Sequence, residues 1–87
     1  MMADKDSIRR LLKTARGQID GILNMVEEDR YCIDICNQIM AAQSILTKVN
    51  KEIMAAHMEH CVAQAMSEQE RSEKIEEVVA LMGKLMK

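Results

Sequence analysis

The sequence predicts an all-α protein of three helices, the middle one long, in a subunit that needs a copy of itself. Three observations carry this. Apolar residues recur at steps of three and four along most of the chain, the period of a helix with one buried face. Proline is absent from all 87 residues, so nothing forces such helices to break. The only aromatic residue is Tyr31, with no Phe and no Trp. A chain this short with a core of Leu, Ile, Val, Met and Ala is marginal alone, which favours an oligomer. Its 48% apolar content is too high for a disordered tail, and its length fits one domain, residues 1–87.

The first helix carries Ile8, Leu11, Leu12, Ala15, Ile19, Ile22, Leu23 and Val26 on one stripe. Asp4 or Asp6 is placed to cap its start. Gly17 and Gly21 lie four apart, each weakening the helix by about 1 kcal/mol relative to alanine. They either admit a second backbone or are merely tolerated. Glu27, Glu28 and Asp29 end this helix, and Asp29 is the expected cap of the next. From Arg30 to about Met66 nothing breaks the pattern. Ile35, Ile39, Ala42, Leu46, Val49, Ile53 and Ala56 repeat near the heptad spacing, the seam of a helix lying against another long helix. About 35 residues of helix reach about 50 Å, more than a domain this small can cover. Ser67-Glu68-Gln69-Glu70 matches a capping box and starts the third helix. Ile75, Val78, Val79, Met82, Leu85 and Met86 form its apolar face.

The net charge is −2, not the overall basic balance usual in nucleic-acid-binding domains. Its distribution is polarised. Lys5, Arg9, Arg10, Lys13 and Arg16 crowd the first helix, and Glu68, Glu70, Glu73, Glu76 and Glu77 the last. No apolar run approaches the roughly 18 residues of a membrane span, and the start of the chain is polar. A cytoplasmic location and no membrane partner are expected. Three cysteines, an odd number, fit reduced thiols better than a disulfide frame. With no nucleophile–base pairing beyond the thiols and no Gly-rich phosphate loop, neither an enzyme nor a small-molecule substrate is expected.

Cys32, Cys36, His57, His60 and Cys61 all fall on the second helix. His57 and Cys61 are four apart and share a face, giving two positions on one metal ion. Cys32 is the obvious third ligand, but on a straight helix it lies about 37 Å from His57. Antiparallel pairing with a copy, crossing near residues 45 and 46, brings Cys32 of one chain to His57 and Cys61 of the other. Two-fold symmetry then makes two such sites. Two thiolates and an imidazole suit Cu(I) best, Zn(II) second, and Ni(II) or Co(II) poorly. The competing reading is that these cysteines are small buried hydrophobes and the histidines surface residues. Cys36 is read chiefly as a packing residue, with a fourth sulfur or a redox partner as alternatives. His60 faces elsewhere. Met40, Met54 and Met58 are read as core filler rather than thioether ligands.

Several segments together resemble one known family: Lys13–Ile22 (KTARGQIDGI), Tyr31–Asp34 (YCID), Gln38-Ile39, and His57–Val62 (HMEHCV). The chain resembles, from about residue 8 to 86, the copper-sensitive operon repressor (CsoR) family, which also has nickel/cobalt-, formaldehyde- and persulfide-sensing branches. The resemblance implies a three-helix subunit, an antiparallel dimer and a disc-like homotetramer. It implies a Cu(I) site of Cys32 from one chain with His57 and Cys61 from the other. It also implies that Tyr31 and Glu77 hydrogen-bond the His57 nitrogen facing away from the metal. The nickel branch has an additional N-terminal His, and His in place of the last Cys; this chain has neither. The persulfide branch lacks the histidine, so His57 favours copper, while Cys36 departs from the copper pattern. A persulfide or thiol-redox sensor using Cys32 and Cys61 is the alternative. Operator double-stranded DNA is the implied partner, held without a helix-turn-helix by Lys13, Arg16 and Lys48, with Arg9, Arg10 and Lys51 in support. The implied function is a Cu(I)-responsive repressor whose apo form binds DNA and whose loaded form releases it, derepressing copper-resistance genes.

Overall fold

The computed structural model describes residues 1–64 and 67–85 and has three helices in chain order: α1 (Lys5–Glu27), α2 (Cys32–Ala63) and α3 (Glu68–Leu85). The all-α expectation holds among the described residues. Met66 and Met86, placed by the sequence reading at the ends of the second and third helices, lie outside them, as does the Leu85 side chain.

Of the two N-terminal candidates, Asp4 is the cap of α1. Its carboxylate accepts from the Asp6 N–H at 3.2 Å, and its carbonyl accepts the first helical bond, from Ile8, at 3.1 Å. The cap therefore satisfies one of the amides that every helix start leaves unpaired. At the other end the Arg30 N–H donates to the Met25 carbonyl at 3.0 Å, and the Asp29 N–H to Val26 at 3.1 Å. Those two bonds are a Schellman turn, with Asp29 at the left-handed position at φ 51°. This corrects the assignment of Asp29 as the cap of α2. Its short polar side chain lets it take the conformation that glycine usually supplies. The next helix begins at Cys32 rather than Arg30, and its first backbone bond runs from the Ile35 N–H to the Tyr31 carbonyl at 3.2 Å.

The chain divides into two compact units, Asp4–Asn50 and Lys51–Lys87 with Met1–Ala3. In the first, the short link returns α2 along α1 as a helical hairpin. Its buried residues are Ile8 and Ala15 on α1 and Ala42 and Val49 on α2. Each pair is seven apart, so two turns of each helix present matching levels to the other. Much of the predicted apolar stripe stays open: Leu12, Ile19, Leu23 and Val26 on α1 and Ile39 and Leu46 on α2 are exposed. Apart from the adjoining residues and the helix's own backbone, no atom lies within 4 Å of where a Cβ would stand on Gly17 or Gly21. Packing within the chain therefore does not require either glycine.

In the second unit α3 starts as the capping box predicts. The Ser67 hydroxyl accepts from the Glu70 N–H at 3.1 Å, and the Ser67 carbonyl from Arg71 at 3.0 Å. Glu68 and Glu70 in the first turn and Lys84 in the last both complement the helix dipole. Val78 is buried, whereas Ile75, Val79 and Met82 of the predicted α3 face are exposed.

Candidate functional site

His57 and Cys61 sit one turn apart on α2, both half-buried. The Cys61 Sγ lies 3.6 Å from His57 Nδ1 and 3.7 Å from Nε2. With metal–nitrogen bonds of about 2.0–2.1 Å and metal–sulfur bonds of about 2.3 Å, a ligand angle between tetrahedral and trigonal requires a nitrogen–sulfur separation of about 3.5–3.8 Å. Helix periodicity brings positions 57 and 61 together, but a sulfur nearly equidistant from both nitrogens lies over the imidazole face, off either in-plane lone pair, so the ring must turn about its side-chain bonds before the two donors can share an ion.

His57 also borders a cavity of about 260 Å³ lined by Met1, Met2, Ile53, Met54, Glu77 and Leu81. Glu77 and His57 therefore line the same cavity within the second unit, Glu77 from α3 and His57 from α2. Met54 and Leu81 stand one turn from His57 and Glu77, and spacing alone could have nominated both. Met1 and Met2 are remote in sequence, and no local pattern marks them.

Cys32 is the first residue of α2 and belongs to the other unit. It is exposed and free of any disulfide, as is Cys36. Among the described residues, no three His, Cys, Asp or Glu side chains of the chain gather as a metal site. The chain by itself thus brings together two candidate ligands, His57 and Cys61, with the third candidate, Cys32, in the other unit. Within the single chain Cys36 therefore packs against nothing that buries it. Met40 and Met58 are likewise exposed rather than core filler. His60 is exposed, and Tyr31, beside Cys32, is 68% exposed.

The basic candidates are all exposed. Arg9, Arg10 and Lys13, with Asp6 and Thr14, line an open groove of about 510 Å³ on α1. Arg9, Lys13 and Arg16 follow the four-then-three step of one helix face. Arg9 Nη1 is 3.2 Å from Asp6 Oδ1, an exposed ion pair worth little in high dielectric, so Arg9 is readily redirected to another anion. Lys48 lies on the α2 segment of the same unit and Lys51 in the other. No helix among the described residues is long and apolar enough to cross a membrane.

Residues 4–84 match the family described as metal-sensitive transcriptional repressor. The chain is 40% identical over 84 residues to the copper-sensing transcriptional repressor CsoR of Bacillus subtilis, covering 97% of this chain and 83% of that one. Among solved structures, the Cu(I) form of the copper-sensing repressor CsoR from Geobacillus thermodenitrificans is similar at TM-score 0.79 and 36% identity. That match covers 94% of this chain and 85% of that one. The nickel-responsive transcriptional regulator InrS is similar at TM-score 0.78 and 24% identity, covering 98% and 96%. At that identity the likeness speaks for the fold alone.

Proposed function

Because the chain belongs to the metal-sensitive transcriptional repressor (CsoR) family, we propose that it is a cytoplasmic Cu(I)-responsive repressor. The apo form binds operator DNA, and Cu(I) binding releases it and derepresses copper-resistance genes. The observation that carries this is the His57–Cys61 pair, held 3.6–3.7 Å apart on one helix face. The copper-sensing relatives support copper as the signal.

Cys32 of one protomer completes the donor set with His57 and Cys61 of the partner subunit in an antiparallel dimer, and dimers pair into a homotetramer. The open apolar stripes of α1 and α2 supply the surface that such assembly buries. Two thiolates and one imidazole are soft donors that favour Cu(I) over harder divalent ions. Bound there, the ion supplies a fixed link between the α2 start of one chain and the α2 end of another. Tyr31 adjoins Cys32 and is carried wherever Cys32 is held. Glu77, which lines the same cavity as His57, accepts from the ring nitrogen turned away from the ion. Such partners fix the tautomer and orientation of the ring and tie α3 to the state of α2.

Lys13, Arg16 and Lys48, with Arg9, Arg10 and Lys51, form the DNA surface. Repetition of these cations over four subunits offsets the net charge of −2 per chain. Phosphate contacts of this kind make affinity steeply salt-dependent. The thiol-only alternative leaves His57 without a role beside Cys61, so copper is the better reading.

The test is fluorescence anisotropy of a labelled duplex from the promoter region upstream of the chain's own gene. Lys13→Ala is expected to weaken binding and to lower the slope of log affinity against log salt by about 1. Anaerobic Cu(I) is expected to release the wild-type chain, with a coupling of about 1–3 kcal/mol or more. Release by a persulfide donor but not by Cu(I) would reject the reading.

A further inference from the structure

The switch above uses two of the chain's three cysteines and leaves Cys36. Its placement gives it a role. Cys32 opens α2 and Cys36 follows one turn later, so the two thiols share a helix face. Both are exposed and neither is in a disulfide. We infer that Cys32 and Cys36 form, within one protomer, a two-thiolate capture site for Cu(I) that loads the three-ligand site.

Distances decide between a metal pair and a redox pair. Side chains four apart on a helix have Cβ atoms about 5–6 Å apart. A disulfide needs about 3.5–4.5 Å, so bonding the two sulfurs requires breaking the first turn of α2. An ion held between them does not. Two metal–sulfur bonds of about 2.3 Å span about 4.6 Å, which thiolates on Cβ atoms at that separation reach by turning about χ1. Two soft sulfurs in an exposed, low-coordinate arrangement select Cu(I) among biological cations. The choice of Cu(I), and of Cys32 as the shared ligand, rests on the copper-sensing reading above.

Capture of Cu(I) by the two thiols releases two protons. Transfer is a ligand exchange without redox change. Cys32 keeps the ion, and His57 and Cys61 of the partner subunit take the place of Cys36. The Cys36 thiolate takes up one proton as the Cys61 thiol gives one up. Exposure lets Cys36 meet an incoming donor thiolate, and the shared Cys32 avoids any release of free ion.

The test removes the final site and asks whether the first still holds copper. In the double variant His57→Ala/Cys61→Ser, anaerobic Cu(I) titration against a chromogenic Cu(I) chelator is expected to find one equivalent retained per chain. Adding Cys36→Ser, or Cys36→Ala, is expected to abolish it with helix content unchanged by circular dichroism. If the double variant retains no Cu(I) while the wild-type chain does, the capture site is wrong and the three-ligand reading stands. If the wild type also fails to bind Cu(I), both are wrong. Retention after loss of Cys36 overturns the pairing.

Discussion

The two units of the chain are built to different standards. Asp4–Asn50 is a hairpin locked by an N-terminal cap and a Schellman turn, with four buried apolar residues on facing levels. The unit of Lys51–Lys87 with Met1–Ala3 has one buried apolar residue among the described side chains, Val78, and a cavity beside His57. The firmer unit carries most of the basic candidates and Cys32; the looser one carries His57, Cys61 and Glu77. Local stability follows buried apolar contact. The candidate ligand pair His57 and Cys61 thus lies in the less firmly packed unit, and the firmer unit presents most of the cations.

That contrast can be broken by substitution. Ile8→Ala empties a buried position of the hairpin and is expected to cost about 2–4 kcal/mol in chemical denaturation; a cost below about 1 kcal/mol would remove the distinction between the units. Ser67→Ala removes the α3 cap and is expected to cost about 1 kcal/mol. Hydrogen exchange should show faster amides in α3 with little change in α1. Gly17→Ala and Gly21→Ala meet nothing beyond their own stretch of helix, so each is expected to stabilise the hairpin by up to about 1 kcal/mol. A loss of stability that grows with protein concentration would instead place a second subunit against these glycines. The smallest effect is at Asp29. Replacement by Gly relieves the left-handed backbone and is expected to raise stability by a few tenths of a kcal/mol, whereas Val there is expected to lower it.

Legibility followed the range of the interaction. Asp4 and the Ser67 box are contacts within three residues, and both were readable from residue type and spacing. Asp29 was misread because Asp serves both helix starts and left-handed turns, and only the backbone decides which. The α2 seam was readable as a pattern, but Ile39 and Leu46 remain exposed because periodicity reports an apolar face without naming what covers it. The same holds for Cys36: a cysteine on a helix carries no mark of burial. The His57–Cys61 spacing was legible because a helix dictates it. The walls that Met1 and Met2 contribute were not, since they arise from folding between distant segments. The Tyr31 and Glu77 roles came only through family resemblance. The structure puts Glu77 on the His57 cavity and leaves Tyr31 exposed.

Whether His57 joins metal binding to DNA release is decided by anaerobic Cu(I) titration of the His57→Ala variant bound to promoter DNA. The variant is expected to hold DNA as the wild type does in the absence of copper, and Cu(I) is expected no longer to release it at concentrations that free the wild type. Undiminished release of His57→Ala would contradict that role.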